Sequence, residues 1–117
     1  MSSILIYHNP RWSKSRESVK ILKNKNISFT CKEYLKEGLN YTELNNIIQL
    51  LNIKPDELIR KNEKEFKDLR LSKEQINNKD DIINSIIKFP KILQRPIIIN
   101  NQKAVIGRPP EKINEIL

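Results

Sequence analysis

The chain has 117 residues, of which 38% are hydrophobic and 6% aromatic, so it is long enough for one folded domain with one core and too short for a second. It contains no apolar run of about 18 residues and begins with neither a basic segment nor a signal-cleavage site, so we expect a cytoplasmic protein with no membrane span and no secretory signal. The net charge of +8 would suit an anionic partner, but the lysines are dispersed and no aromatic residues alternate with them, so we do not expect nucleic acid to be that partner.

The first 34 residues predict a β-α-β unit. Residues 4–8 form a short apolar, β-branched run that ends before an Asn-Pro pair, which is typical of a strand. From Ser13 onward, apolar residues recur at helical spacing among charged ones, so a helix is predicted to begin there. Residues 27–34, which include Phe29 and Tyr34, alternate loosely and predict a second strand. Two strands joined by a helix are expected to be parallel.

Residues 39–88 predict a helical insert. Apolar residues recur there at helical spacing in three stretches, which are Leu44, Ile47, Ile48 and Leu51, then Leu58 and Ile59, then Ile82, Ile83, Ile86 and Ile87. No alternating strand pattern interrupts them, so the middle of the chain is expected to be entirely helical.

The last third of the chain predicts a hairpin followed by a short helix. Residues 96–99 and 104–106 are strand-like, and the turn-forming pair Asn100-Asn101 stands between them. Two prolines then open a helix over residues 111–117. The complete order, β-α-β, helical insert, β-β-α, predicts an α/β thioredoxin-like fold with a four-stranded mixed sheet.

Four short motifs carry a resemblance to a known family. They are Tyr7-His8-Asn9-Pro10-Arg11-Trp12-Ser13-Lys14-Ser15-Arg16, Leu58-Ile59-Arg60-Lys61-Asn62, Gln94-Arg95-Pro96-Ile97 and Gly107-Arg108-Pro109. In these motifs and their spacing the sequence resembles the ArsC family of glutaredoxin-coupled arsenate reductases over nearly its whole length. The resemblance implies a single thioredoxin-fold domain over residues 1–117 with a helical insert at about 39–88.

The same resemblance implies an activity. The expected reaction is the reduction of arsenate, or of a related oxyanion or thiol substrate, with glutathione and glutaredoxin as the reductant. We expect no bound cofactor, glutaredoxin as the protein partner, a small oxyanion as the substrate, and a monomer.

The resemblance also implies an oxyanion site around the start of the first helix. Backbone N–H groups at a helix start, together with the helix dipole, stabilise an anion. Here they would belong to Ser13, Lys14, Ser15 and Arg16. The family's oxyanion-binding arginines, whose fixed fork of donors can engage two oxygens of a tetrahedral anion, match Arg60, Arg95 and Arg108. The alternatives are that Ser13 or Ser15 only caps the helix and that the arginines form surface ion pairs.

Two further residues of the motifs have expected roles. His8 follows the first strand, where an imidazole could hydrogen-bond a catalytic thiolate or tune its protonation, although a lone histidine can equally be structural. Pro96 stands where thioredoxin-like proteins have a cis-proline, so the resemblance implies a cis bond that aims Arg95 at the loop.

The sequence departs from the family at position 12, where tryptophan stands in place of the catalytic cysteine. Indole has one N–H donor and no ionisable thiol, so Trp12 cannot act as a nucleophile, and its bulk would fill the place of the oxyanion. Cys31 is the only thiol of the chain, and we expect it to be a small buried residue of the second strand. The sequence has no CxxC pair or metal-ligand cluster, so we expect no bound metal.

Three interpretations stay open. In the first, tryptophan at position 12 hides the true nucleophile, since the codons for cysteine, selenocysteine and tryptophan differ by single bases. In the second, Trp12 is genuine, and the protein is an inactive ArsC-like module that binds an anion or a protein. The third is a transcription regulator similar to Spx, although the N-terminal pair of cysteines of that regulator is absent here.

Overall fold

The structure is a computed structural model that describes residues 4–117, and a four-stranded mixed sheet with strand order β2-β1-β3-β4 forms its framework. The strands are β1 (Ile4–Tyr7), β2 (Phe29–Lys32), β3 (Ile97–Asn100) and β4 (Lys103–Ile106). β1 pairs parallel with β2 and antiparallel with β3, and β3 pairs antiparallel with β4. This arrangement confirms the predicted thioredoxin-like fold class.

The chain divides into two compact units. One, the sheet unit, contains the described residues up to Glu37 together with Arg95–Leu117, and the other, the helical unit, is Gly38–Gln94. In the sheet unit, helix α1 (Ser13–Asn24) and a C-terminal 3-10 helix (Pro110–Ile116) pack on the sheet. The core between them consists of Ile4, Ile6, Leu22, Ile98, Val105, Ile113 and Ile116. Burial of each such side chain stabilises the fold by about 1.5–3 kcal/mol.

The helical unit forms around one amphipathic helix. It contains α3 (Tyr41–Leu51), α4 (Lys64–Leu69), α5 (Lys73–Ile76), α6 (Lys79–Lys88) and two 3-10 turns (Pro55–Leu58 and Pro90–Ile92). Ile82, Ile83 and Ile86 of α6 are completely buried, because their spacing puts them on one face. Residues 4–117 contain no helix with the length and hydrophobicity of a membrane span.

Three predicted elements differ from the structure. The second strand ends at Lys32, and Tyr34, predicted as part of that strand, is instead the buried first residue of the short helix α2 (Tyr34–Glu37). The N–H of Glu33 donates to the Glu37 carboxylate at 2.9 Å, and this local bond turns the chain away from the sheet. The hairpin turn is at residues 101–102 rather than 100–101, because Asn100 still pairs with Lys103. The C-terminal helix is a 3-10 helix, and it begins at Pro110 rather than residue 111.

A close approach of backbone to side chains fixes the end of β4. A Cβ atom at Gly107 would lie 2.8 Å from Cγ of Pro96 and 2.9 Å from both Cδ1 of Ile98 and Oγ of Ser18. All three neighbours are buried, so they have little freedom to move away. The Gly107 N–H donates to the Pro96 carbonyl at 2.8 Å, which continues the pairing of β3 with β4 by one residue pair.

We expect Gly107→Ala to lower the free energy of unfolding by about 1–3 kcal/mol, because the added methyl group overpacks a filled site. Urea denaturation followed by circular dichroism measures the change. Lys103→Ala, at an exposed position of the same hairpin, is the control and should stay within about 0.5 kcal/mol of the parent. An unchanged midpoint for Gly107→Ala would contradict the packing argument.

Candidate oxyanion site

Asn9 organises the loop between β1 and α1. Its side chain accepts a hydrogen bond from the Arg11 N–H at 2.9 Å, and its carbonyl accepts one from the Trp12 N–H at 3.1 Å. Its own N–H donates to Oγ of Ser15 at 3.4 Å. Asn9 is buried, so these bonds are shielded from water and hold the loop in one conformation. No role of Asn9 was predicted from the sequence, although an Asn-Pro pair is a known turn signal.

Helix α1 begins with Trp12 as its N-cap residue. Trp12 is extended (φ −103°, ψ 132°), its carbonyl accepts the Arg16 N–H at 3.1 Å, and its side chain makes no capping hydrogen bond to the described part of the chain. The alternative that Ser13 or Ser15 is the cap is therefore wrong. Oγ of Ser15 accepts from the loop residue Asn9 and the whole residue is buried, whereas Ser13 is the exposed first residue of the helix.

The N–H groups of the first turn point away from the helix body, since a helix leaves its first donors without intrahelical acceptors. Two side chains of the predicted anion-binding turn have other partners. The Arg16 guanidinium donates to the Pro10 carbonyl at 3.0 Å, so it braces the loop, and Lys14 pairs with Glu17 at 3.7 Å on the exposed face. The backbone amides, rather than these side chains, are thus the donors this turn offers to an anion. The predicted Arg16 amide is not one of them, because it donates to the Trp12 carbonyl at 3.1 Å.

The Arg95 guanidinium lies on the face of the Trp12 ring. Its Cζ is 2.9 Å from the ring centroid, well within the about 6 Å limit of a cation–π contact. The Arg95–Pro96 and Arg108–Pro109 peptide bonds are both cis. The hydrogen bond from Gly107 to Pro96 holds the backbone segments that carry Arg95 and Arg108 side by side, and Arg108 is exposed.

Arg60, the third predicted oxyanion-binding arginine, lies in the helical unit. Its N–H donates to the Ile92 carbonyl at 2.7 Å, and its guanidinium donates to the Glu63 carboxylate in a mostly buried ion pair with side-chain exposures of 22% and 17%. The second oxygen of Glu63 is 3.9 Å from Nζ of Lys91. Glu63 thus holds Arg60 in place, a role that sequence analysis did not assign and that the i, i+3 spacing could have suggested.

His8 continues from β1 into the loop, where its surroundings favour the neutral form of the imidazole. Its backbone N–H donates to the Lys32 carbonyl at 2.9 Å. The buried Nδ1 of its imidazole has no hydrogen-bond partner within residues 4–117. Burial lowers the pKa of the imidazole, and Arg16 lowers it further, against the raising effect of Glu33. The side chain can therefore exchange hydrogen bonds but contributes little positive charge.

A pocket of about 290 Å³ gives solvent access to this side of the loop. Its lining comes from the loop and from the segment around α2, namely His8, Asn9, Pro10, Arg11, Glu33, Leu35 and Lys36. Within residues 4–117 no group of three His, Cys, Asp or Glu side chains could hold a metal ion.

Cys31 is exposed, so the expectation of a buried cysteine is wrong. β2 lies at the edge of the sheet, where a side chain is covered from one side only. Desolvation raises the pKa of the thiol, and Glu33 raises it further, against the lowering effect of Lys23. Cys31 thus lacks the lowered pKa that a reactive cysteine requires.

The chain is similar over its whole length to several known proteins. A sequence profile of the ArsC family matches residues 7–116. The chain is 37% identical to the arsenate reductase of Haemophilus influenzae, with 98% of this chain and 99% of that protein covered. It is 34% identical to the arsenate reductase of Neisseria meningitidis serogroup A, with 100% of both covered. Among solved structures, arsenate reductase from Vibrio cholerae superposes with a TM-score of 0.89 at 34% identity, over 99% of this chain and 98% of that one. The chain therefore belongs to the ArsC family.

Proposed function

We propose that this chain binds an oxyanion at the start of α1, in the manner of an arsenate reductase, and that as sequenced it does not reduce that oxyanion. One observation carries the proposal. Trp12 is the N-cap residue of α1 and lies against Arg95, so a side chain without a thiol occupies the point where the helix start meets an arginine.

The loop and Arg95 together support anion binding. The first-turn amides of α1 and the positive end of its dipole favour negative charge. Arg95 adds a guanidinium whose donors can engage two oxygens of one tetrahedral anion. Arg108 follows β4 on the neighbouring segment, and Arg60 stays a prediction from the resemblance. Arsenate, phosphate and sulfate share the tetrahedral shape and charge that such a site would recognise.

Reduction of arsenate would need a thiol or selenol at position 12. A thiolate there would attack arsenic and form an S–As bond while an arsenate oxygen leaves as water. The thiol of glutathione would then attack that sulfur to form a disulfide, and arsenic would leave with the electron pair of the S–As bond as arsenite. Glutaredoxin would reduce the disulfide. Trp12 can take part in none of these steps, because indole has neither an ionisable thiol nor a second redox state accessible to glutathione.

His8 would assist an active form of the site. His8 lies at the end of β1, in the loop that leads to position 12, and its neutral imidazole can donate or accept a hydrogen bond there. Because the neutral ring carries no negative charge, it does not compete with the oxyanion for the arginines. The first interpretation of position 12, a cysteine or selenocysteine in the natural gene product, is tested by the codon itself and by the mass of the protein isolated from its source.

We expect inorganic phosphate and arsenate to bind the protein as sequenced, and Arg95→Ala to weaken that binding by about 10- to 100-fold, the range that one charge-assisted hydrogen bond supports. Isothermal titration calorimetry measures both affinities. Lys20→Ala, which removes one exposed positive charge from α1, is the matched control and should bind as the parent does. Equal affinities for the parent and Arg95→Ala would exclude Arg95 as a ligand of the anion.

We expect the protein as sequenced to show no arsenate reduction with glutathione and glutaredoxin, and Trp12→Cys to gain it. The helix start and its dipole should lower the pKa of the introduced thiol from about 8.5 toward neutrality. Arsenite formation is the readout, in a Cys31→Ser background so that one thiol is present. Iodoacetamide labelling at pH 6 reports the thiolate, and the cost to folding should be about 1–3 kcal/mol at most.

Trp12→Ser is the matched control, because it removes the same indole without adding a thiol. If Trp12→Cys folds and labels rapidly at pH 6 but reduces no arsenate, then arsenate is not the substrate. If the parent reduces arsenate and loses the activity on Cys31→Ser, the nucleophile is Cys31 and the proposal is wrong.

A further inference from the structure

The contact between Trp12 and Arg95 occupies the space that connects the helix start to the arginine. A separation of 2.9 Å between Cζ and the ring centroid leaves no room for an atom between the indole and the guanidinium. Both residues belong to the sheet unit, and Trp12 is half-buried.

An oxyanion that used both parts of the site would have to stand between them. Hydrogen bonds from backbone amides and from a guanidinium to an oxyanion are about 2.7–3.0 Å long, so the anion must contact the first turn of α1 and Arg95 at once. In the structure the indole lies against that guanidinium instead.

We infer that Trp12 determines the affinity of this site, because its indole and the oxyanion compete for Arg95. The inference rests on the proposed function, since it assumes that the helix start and Arg95 bind an oxyanion. Binding then requires the indole to leave the guanidinium. A tetrahedral anion that engages both the amides and Arg95 therefore binds more weakly, by the free energy of the lost cation–π contact.

The local structure allows this displacement. The Trp12 backbone is held on both sides, since its N–H donates to the Asn9 carbonyl at 3.1 Å and its carbonyl accepts the Arg16 N–H at 3.1 Å. The Trp12 side chain makes no capping hydrogen bond to the described part of the chain, so rotation about its side-chain bonds moves the indole while both backbone hydrogen bonds stay in place. The loop amides can therefore stay in place while the ring moves.

The competition has a predictable size. The free energy of a cation–π contact is smallest at an exposed site and largest at a desolvated one. These two limits correspond to a change of about 2-fold to 30-fold in an equilibrium constant. We expect Trp12→Ala to bind inorganic phosphate about 2- to 30-fold more tightly than the parent. Trp12→Phe keeps a ring with a weaker attraction for the cation and should fall between the two. Because the Trp12 side chain makes no capping bond to the described part of the chain, neither substitution removes a helix cap.

Calorimetric titration with phosphate at constant ionic strength distinguishes the outcomes. Tighter binding in the order Trp12→Ala, Trp12→Phe, parent supports the inference. Equal binding by all three, or weaker binding by Trp12→Ala, overturns it and leaves the proposed anion site intact, since the anion then uses donors at the edge of Arg95 that the indole does not cover. Absence of binding in all three proteins overturns the proposed anion site, and this inference with it.

A second measurement does not depend on substitution of Trp12. The chain contains one tryptophan, so its fluorescence reports this residue alone. Phosphate should increase the quenching of Trp12 by acrylamide in the parent, because the displaced indole becomes more accessible. The Arg95→Ala protein, in which there is no contact to lose, should show no phosphate-dependent change. Unchanged quenching in a parent protein that calorimetry shows to be phosphate-bound would overturn the inference.

Discussion

The approach of Gly107 to Pro96 is the contact on which the geometry of the site depends. A hydrogen bond of 2.8 Å joins these backbones, and a side chain at position 107 would collide with Pro96, Ile98 and Ser18. Ser18 belongs to α1, so the same contact sets how closely the helix lies against the end of the hairpin. The segment that carries Arg95 reaches the helix start because no side chain separates the two layers there.

The arginines of the motifs share a chemistry but have different partners. Arg16 braces the loop through the Pro10 carbonyl, Arg60 is held by Glu63, and Arg95 stacks on Trp12. A guanidinium can serve in each of these ways because it combines a permanent charge, a planar fork of donors and a face that stacks on aromatic rings. Residue type alone therefore does not identify which arginine contacts a ligand.

The fold and the chemistry of this chain place separate demands on position 12. The N-cap position needs an extended residue whose carbonyl can accept the first helical bond, and Trp12 satisfies that with its backbone. The reductase chemistry would need a sulfur or selenium atom on the side chain. The ArsC fold, with its loop, its helix start and Arg95 in contact with residue 12, can thus form whether or not residue 12 can react. Membership of the family therefore does not by itself establish the activity of this protein.

Local periodicity and turn residues were enough to predict the order of the elements, the beginning of α1 at Ser13 and a hairpin close to Asn100-Asn101. The turn itself is at residues 101–102, because Asn100 ends β3 and pairs with Lys103. The sequence motifs also indicated the family. The exposure of Cys31 follows from the edge position of β2, which is a property of the whole sheet and not of the residues around Cys31. The start of α2 at Tyr34 depends on a local bond between Glu33 and Glu37, which the strand-like pattern of residues 27–34 did not indicate. The contact between Trp12 and Arg95 depends on the tertiary structure, since residues 83 positions apart meet only when the sheet and helix pack together. Such contacts depend on burial and on the geometry of neighbouring layers, and neither is written in the spacing of residues along the chain.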